Sequence, residues 1–269
     1  MSVELQTFPF RGSTLSCRVV GNAGAPWLVV NHGMALDCSS FEGLAERFAS
    51  RWRVLLWDMP GHGKSGPMPR PFDMQVCVDA LETVLDAHDV DKAVLLGFSF
   101  GGVVSQLLAH RAPQRVDGMI AYGCLSPLLT GPQPLWVMWL GEWIMTRGNW
   151  ESVRWRFAKL CSAVPDVQRG VFDTMGVLGP DGFRQMTRAL LRARTHDPSF
   201  RVNGPLLWVQ GERDSNAASL KPVEAALRRS HPSMTSVILP GAGHCAHQEM
   251  PAAFDAAVER FLDERFSTA

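Results

Sequence analysis

Short apolar runs alternate with amphipathic stretches along most of the chain. The runs APWLVVN, RVLLW, KAVLLG, DGMIAYG, PLLWVQG and TSVILPG have the length and composition of strands. Between several of them, FEGLAERFAS, MQVCVDALETVLDAH and VVSQLLAHRAP have apolar residues at helical spacing. Continuous apolar strands that alternate with amphipathic helices predict an α/β fold with a mostly parallel central sheet, flanked by helices on both faces.

Two segments depart from this alternation. The stretch ELQTFPFRGSTLSCRVVG predicts an antiparallel hairpin at the edge of the sheet. Residues 125–204 contain several helical patterns and no convincing strand, and they are too many for a single crossover connection. We therefore predict an α/β core formed by residues 1–124 and 205–269, with residues 125–204 inserted as a helical cap over one sheet edge.

Composition narrows the class of ligand. The chain has 269 residues, of which 46% are hydrophobic and 19% charged, as in an ordinary globular protein with a large core. Its formal net charge is zero, and no block of like charge occurs. This balance argues against nucleic acid or an anionic membrane surface as a partner and leaves a small-molecule substrate open. No pattern indicates the oligomeric state.

Location and redox state follow from two further features. The start of the chain lacks the basic and apolar regions of a signal peptide, and no run of 18 apolar residues occurs, so we expect a cytoplasmic protein without an integral membrane segment. Six cysteines are widely scattered and form no C-x-x-C pair. We expect them to be reduced and mostly buried, with no zinc site or disulfide framework.

The segment GFSFGG, residues 97–102, stands between the strand-like KAVLL and the helix-like VVSQLLAH. Gly97, Ser99 and Gly101 match the pattern G-x-S-x-G, in which a serine lies on a sharp turn between a strand and a helix. The small flanking residues let the two elements approach, and the helix N-terminus adds positive potential beside the serine. The alternative is a plain tight turn, for which glycine is the usual residue.

Two more candidate groups follow later strands. WVQGERDSN places Asp214 just past one apolar run, and ILPGAGHCAHQE places His244 just past the last one. The order Ser99, Asp214, His244 is the order expected for nucleophile, acid and base at successive strand ends of this kind of sheet. We therefore predict that these three residues form a catalytic triad.

These motifs, in this order, resemble those of the α/β-hydrolase superfamily over essentially the whole chain, and the resemblance implies a serine hydrolase with a helical cap. NHGM is similar to the family's His-Gly loop, which implies an oxyanion-hole amide at Met34, with the second amide at Phe100. WDMPGHGKS is similar to the family's D-x-x-G-x-G-x-S turn, which is carried here by Asp58, Gly61, Gly63 and Ser65.

The triad would work through proton transfer. His244 takes the proton of the Ser99 hydroxyl as the oxygen attacks, and later returns it to the leaving group. Asp214 holds the imidazole in the required tautomer and stabilises its cation. The amides of Met34 and Phe100 stabilise the oxyanion. This chemistry requires no metal and no cofactor.

Neighbouring polar residues have competing interpretations. We predict that Asp58 caps a turn rather than serving as the triad acid, and that His32 braces the oxyanion loop. His62 is predicted to be a turn residue whose ring packs on the surface. His247 is a rival for the base, but the flexible glycines of GAGH directly precede His244.

The predicted function is that of a serine hydrolase that cleaves a carboxylic ester, lactone or thioester of a small, largely hydrophobic substrate through an acyl-enzyme. The alternatives are a C–C bond hydrolase of a dienoate-like ketone, a cofactor-free perhydrolase, and a non-catalytic ligand receptor on the same fold. Members of the superfamily that use aspartate as nucleophile are disfavoured by Ser99. The C–C hydrolases typically carry tryptophan after the base, where this chain has Cys245.

Five of the nine tryptophans lie in the predicted cap. PLWVMWLGEWIM carries one charge in twelve residues, so a helix there would be apolar nearly all round and would need to be covered. The cover could be the sheet edge, a partner subunit or a substrate. We predict that Trp139 and Trp143, together with Met34, line an apolar pocket beside Ser99.

Overall fold

The structure is a computed structural model that describes residues 4–129, 135–193 and 196–266. Its described part contains one eight-stranded sheet with the order β1-β2-β4-β3-β5-β6-β7-β8. Strands β1 and β2 form an antiparallel hairpin at one edge, β2 pairs antiparallel with β4, and every later pairing is parallel. The strands are β1 Gln6–Phe10, β2 Ser13–Val20, β3 Trp27–Asn31, β4 Arg53–Asp58, β5 Ala93–Phe98, β6 Val116–Tyr122, β7 Leu206–Gly211 and β8 Thr235–Leu239.

Helices cover both faces of this sheet, which confirms the predicted α/β class. They are α1 Glu42–Phe48, α2 Met74–Asp86, α3 Phe100–Arg111, α4 Leu135–Thr146, α5 Trp150–Cys161, α6 Pro165–Arg192, α7 Ala217–Ser230, α8 Ala246–Glu249 and α9 Pro251–Phe266.

The central strands are buried on both sides because their residues point alternately to two separate cores. Val29 and Leu95 lie in one core with residues of α2, α3 and α7, whereas Leu28 and Leu96 lie in the other with residues of α1 and α9. All six residues of β5 are buried. The continuous apolar runs in the sequence therefore reflect two-sided burial.

Helix α3 packs very closely on the sheet where it begins. A Cβ at Gly101 would lie 2.1 Å from the main-chain oxygen of Asn31 in β3, so a larger residue would push the helix away. The glycine thus fixes the start of α3 over the carboxyl end of the central strands.

Three helices, α4, α5 and α6, stand between β6 and β7, and the described residues of this interval contain no strand. Asn149 caps α5 by accepting a hydrogen bond of 2.8 Å from the amide of Ser152. Helix α6 is interrupted at Gly179, which has a φ of 71° and is followed by Pro180. The division into core and cap stays a prediction. None of the helices in the described ranges is long and apolar enough to span a bilayer.

Candidate active site

Ser99 is the single residue between β5 and α3. Its φ of 52° and ψ of −113° lie in a region that costs non-glycine residues free energy. The amide of Ser99 donates a hydrogen bond of 2.9 Å to the carbonyl of Tyr122 at the end of β6, which holds the turn in place. The strained backbone is the expected geometry when a strand must turn into a helix within one residue and present its side chain.

Ser99, His244 and Asp214 lie together at the carboxyl ends of three parallel strands. The Ser99 hydroxyl is 3.0 Å from Nε2 of His244, and Nδ1 of His244 is 2.8 Å from Oδ2 of Asp214. A carboxylate can only accept, so the imidazole proton is on Nδ1 and Nε2 is free to accept from the serine. The arrangement joins a hydroxyl to a base and the base to a group that orients it.

The electrostatics of His244 result from two opposing effects. Burial disfavours the charged ring, but the hydrogen bond and the charge of Asp214 outweigh it, and the net effect raises the pKa of His244. Asp214 itself is 4% exposed, and its second oxygen accepts a hydrogen bond of 2.8 Å from the amide of Asn216. The imidazole is therefore matched to a fixed carboxylate that stabilises its protonated form.

Two residues at the end of β6 pack against this histidine. The hydroxyl of Tyr122 donates a hydrogen bond of 2.6 Å to the main-chain carbonyl of His244. Gly123 has a φ of 54°, and a Cβ at this position would lie 3.3 Å from Cε1 of His244 and 3.5 Å from Oδ2 of Asp214. The strand that holds the Ser99 turn thus also contacts the loop of the base.

Two buried histidines hold the loop after β3, which carries Met34. His32 donates through Nδ1 to the Gly33 carbonyl at 2.8 Å and accepts from the Met59 amide at 3.0 Å. His62 accepts from the Ala35 amide at 3.2 Å. Burial lowers the pKa of His32 to about 4 and that of His62 to about 3, so both rings are neutral at pH 7.

The two amides predicted for the oxyanion hole border one cavity with Ser99. Phe100 is the first residue of α3, and the first amides of a helix have no partner within it. Among the described residues, no hydrogen-bond partner is found for the Met34 amide. Met34 and Phe100 both line the cavity that contains Ser99 and His244. The two amides are thus available to a bound oxygen.

That cavity has a volume of about 210 Å³, and most of its wall is apolar. Its described polar lining consists of Ser99, Cys161, Asn216, Ser219 and His244, and no lysine or arginine is found among the described residues of the lining. The apolar wall combines residues of α4, α5 and α6 with residues outside these helices, namely Met34, Phe100, Val103, Leu125, Met145, Phe157, Leu160, Leu190 and Leu220.

Two hydrogen bonds tie the helices of the predicted cap to the loops of the site. The hydroxyl of Thr174 in α6 donates to the Ala35 carbonyl at 2.7 Å. The amide of Cys245, next to His244, donates to the Cys161 carbonyl at the end of α5 at 3.1 Å. A larger groove of about 800 Å³ lies on the outer side of α5, but it is open and contains none of the candidate catalytic residues.

Comparison with known proteins identifies the family and the fold. A family model described as the alpha/beta hydrolase fold matches residues 26–158. A hydrolase from Pseudomonas aeruginosa PA01 has the same fold with a TM-score of 0.82 and 23% identity, over 97% of this chain and 99% of that one. The chain belongs to the α/β-hydrolase superfamily. The predicted membership is therefore confirmed.

Other α/β-hydrolases carry more specific names. The enol-lactonase from Burkholderia xenovorans LB400 matches with a TM-score of 0.81 and 20% identity, over 96% of this chain and 99% of that one. A curated relative from Salmonella arizonae is 28% identical over 248 residues, which cover 86% of this chain and 92% of the relative. It is named 2-succinyl-6-hydroxy-2,4-cyclohexadiene-1-carboxylate synthase.

The structure does not place Trp139 and Trp143 in the cavity, so this part of the sequence-based prediction is wrong. Trp139 is 66% exposed and Trp143 is 45% exposed, and neither lines the space beside Ser99. The reason is the orientation of α4. This helix contributes Met145 to the cavity and turns its tryptophans outward.

Other polar residues near the site have structural contacts. Asp58 accepts from the amides of Cys38 and Lys64, both at 2.8 Å, as expected for a turn cap. The prediction of a surface ring for His62 is wrong, because this residue is 1% exposed. His247 is buried, is not among the described residues that line the cavity with Ser99, and stacks on Phe41 with ring centroids 4.2 Å apart.

Sequence reasoning missed several residues of the site. Phe157, Leu190 and Leu220 read only as apolar positions of helices, and nothing in their spacing distinguishes a cavity wall from a core. Tyr122 did leave a signal, because it is the single tyrosine of the chain and ends a predicted strand next to a glycine.

Proposed function

We propose that this α/β-hydrolase is a serine hydrolase that cleaves a carboxylic ester, lactone or thioester of a small, largely hydrophobic substrate through an acyl-enzyme. The observation that carries the proposal is the chain of contacts from Ser99 through His244 to Asp214, with distances of 3.0 and 2.8 Å, in a mostly apolar cavity. Ser99 is the nucleophile, His244 the general base, and Asp214 the group that orients the base.

In the first half of the reaction, the Ser99 oxygen bonds to the substrate carbonyl carbon while its proton moves to Nε2 of His244. The carbonyl oxygen becomes an oxyanion, which the amides of Met34 and Phe100 stabilise. One such donor typically contributes about 3–4 kcal/mol to transition-state stabilisation. The bond to the alcohol or thiol then breaks, and His244 gives its proton to the leaving group.

In the second half, water attacks the acyl-enzyme. His244 takes a proton from the water as its oxygen bonds to the acyl carbon, and the tetrahedral intermediate again places its charge at the two amides. Breaking the bond to Ser99 releases the carboxylic acid, and the serine oxygen regains its proton from His244. A lactone would be opened in the same way, with the alcohol remaining attached to the product.

The residues that line the cavity favour a substrate with a neutral acyl group. Burying an ionised carboxylate without a cationic partner is costly, and neither lysine nor arginine is found among the described residues that line the cavity. The curated relatives are named for a product with carboxylate and succinyl groups. Such a ligand would place negative charge against the apolar wall, and we therefore favour an ester or lactone over the reaction for which those relatives are named.

A fluorophosphonate probe tests the nucleophile, because it labels a serine only when the hydroxyl is activated. We expect labelling of the wild-type protein on Ser99 and none of Ser99→Ala, which fits the same turn but lacks the hydroxyl. An unlabelled wild-type protein would contradict the proposal and favour a ligand receptor. A Ser99→Ala variant with unchanged ester turnover would also contradict it, because the nucleophile would then be another group.

A substrate panel separates the remaining alternatives. Neutral esters, lactones and thioesters are compared with vinylogous diketones, with peroxide-dependent oxidation of a carboxylic acid, and with the substrate of the named synthase. We expect turnover of at least one neutral acyl substrate and a preference for apolar acyl groups over charged ones. Faster turnover of a diketone or a polycarboxylate than of every ester would favour the C–C hydrolase or the synthase.

A further inference from the structure

Helix α4 has a continuous apolar face that is directed away from the rest of the protein. The residues of this face recur at the i, i+3, i+4, i+7, i+8 spacing of one helical face. They are Trp136 at 67% exposure, Trp139 at 66%, Leu140 at 38%, Trp143 at 45% and Ile144 at 47%. Exposed apolar residues are common singly, but a contiguous set with three tryptophans indicates an interaction surface.

The opposite side of α4 already has its partners within the chain. Gly141 faces Leu191 of α6, and Met145 lines the cavity beside Ser99. The sheet edge and the cavity are therefore covered by the inner side of the helix. The sequence allows three covers for this helix, namely the sheet edge, a substrate and a partner subunit. Because the inner side faces the first two, a partner subunit is the cover that is left for the outer face.

The size of the face agrees with half of a dimer interface. A tryptophan offers up to about 250 Å², so the exposed fractions of Trp136, Trp139 and Trp143 amount to roughly 450 Å². Each subunit of a stable dimer buries about 800 Å², of which about 65% is apolar in homodimers, or roughly 520 Å². Leu140 and Ile144 extend the face toward this value.

The charges around the face favour a second copy over a lipid surface. Arg147 lies over the Trp143 ring at 4.5 Å, and Glu142 forms an ion pair of 2.7 Å with Arg188. Binding to anionic lipid would need an excess of cations at this rim, and the chain as a whole has a formal net charge of zero. A rim of both signs can instead complement its own copy across a twofold axis.

We propose that the outer face of α4 is a homodimer interface, in which the tryptophan face of one chain packs against the same face of a second copy. Such a contact is self-complementary, so each interface residue acts twice in the dimer. Tryptophans at the centre of an interface are frequent energetic hot spots. Because α4 also contributes Met145 to the cavity, dimer formation would restrain the helix that borders the substrate.

The test is the solution mass of the purified full chain over a concentration series, measured by sedimentation equilibrium. We expect a dimer that Trp139→Glu converts to a monomer, with the dissociation constant raised on the order of 100-fold, because the substitution removes two hot spots per dimer. Val177→Glu is the matched control, since Val177 is 60% exposed on α6 and lies outside the face. It should leave the dimer unchanged.

Three results would overturn the proposal. One is a wild-type chain that is monomeric at every concentration, and another is a dimer that Trp139→Glu does not weaken more than Val177→Glu does. The third is a monomer that binds vesicles of mixed neutral and anionic lipid through Trp139, which would assign the face to a membrane surface. Circular dichroism of both variants checks that each is folded, and both substituted residues are exposed.

Discussion

The hydroxyl of Tyr122 lies 2.6 Å from the main-chain oxygen of His244 and donates a hydrogen bond to it. Tyr122 is fully buried at the end of β6, and its own carbonyl accepts from the amide of Ser99. One residue therefore contacts the backbone of both the proposed nucleophile and the proposed base. We infer that this shared support helps to hold their side chains 3.0 Å apart.

We expect Tyr122→Phe to lower kcat about 10-fold with little change in KM. Without the hydroxyl, the His244 loop loses one of its restraints, and a small displacement of a reacting group is costly to the rate. The free energy of unfolding should fall by about 1–3 kcal/mol, because the His244 carbonyl is left without this donor. Steady-state kinetics and urea unfolding measure the two effects.

Thr83→Val is the control for Tyr122→Phe. It removes the hydroxyl of Thr83, which donates to the Asp79 carbonyl at 2.8 Å on α2, away from the site. We expect lower stability without a change in kcat. If both variants lose stability and both keep full kcat, Tyr122 does not position His244.

We expect Gly123→Ala to reduce activity by about 10- to 100-fold. The new Cβ would lie 3.3 Å from Cε1 of His244 and 3.5 Å from Asp214, so the imidazole would have to shift from its place beside Ser99. Gly12→Ala is a matched control, because Gly12 also has a positive φ, 75°, but a Cβ there meets nothing within 4 Å. If the two variants lost similar amounts of activity, the loss in Gly123→Ala would be due to backbone strain and not to displacement of the His244 imidazole.

The sequence predicted those parts of the molecule that depend on local pattern. Apolar runs identify strands such as β5 because both faces of each parallel strand are buried. Ser99, Asp214 and His244 could be selected because chemistry-bearing residues that follow parallel strands meet at one edge of the sheet.

Orientation could not be predicted in the same way. The apolar sequence of α4 indicates that the helix is covered, but which side faces the cavity is set by its contacts with α6. The predicted position of Trp139 beside the cavity is wrong for this reason. An isolated residue such as His62 belongs to no periodic pattern from which its burial could be predicted. Its buried ring accepts a hydrogen bond from the amide of Ala35, 27 positions earlier in the chain.

The pH dependence of activity should show an acid limb. His244 must be neutral to accept a proton, and its pKa is raised mainly by Asp214 against the opposing effect of burial. We expect kcat/KM to fall, as pH decreases, with a midpoint above 6.5, the usual pKa of histidine. Asp214→Asn should lower the rate by roughly 10⁴ and move the midpoint downward, since burial then prevails. An unchanged rate and midpoint would contradict the role of Asp214.

The stability of the fold should decrease in acid. Burial lowers the pKa of His32 to about 4 and that of His62 and His247 to about 3, whereas the unfolded chain binds these protons near pH 6.5. The contribution of these histidines to the free energy of unfolding is complete above pH 6.5 and is lost as the pH falls from there toward 3–4. At pH 5.5 the loss is about 1.4 kcal/mol for each histidine.

The raised pKa of His244 acts in the opposite sense, stabilising the fold below pH 6.5. It is one group against these three histidines and His231, whose pKa is also lowered by burial. Urea unfolding at pH 7.5 and 5.5 measures the balance. His247→Gln should reduce the difference between the two pH values by about 1.4 kcal/mol. Equal stability at both pH values would show that these rings are protonated in the folded state.

Acyl selectivity should depend on Phe157 and Leu190 rather than on the tryptophans of α4. Both residues line the cavity beside Ser99, one from α5 and the other from α6. Replacing either with alanine removes several apolar contacts with a large acyl group, and a single methylene-sized contact is worth about 1–3 kcal/mol in discrimination. We expect kcat/KM for a bulky acyl ester to fall about 10- to 100-fold relative to that for an acetate ester.

Trp139→Ala is the control and should leave this ratio unchanged, because the Trp139 ring is directed outward. A ratio that changes with Trp139 and not with Phe157 or Leu190 would mean that the substrate binds on the outer side of α4.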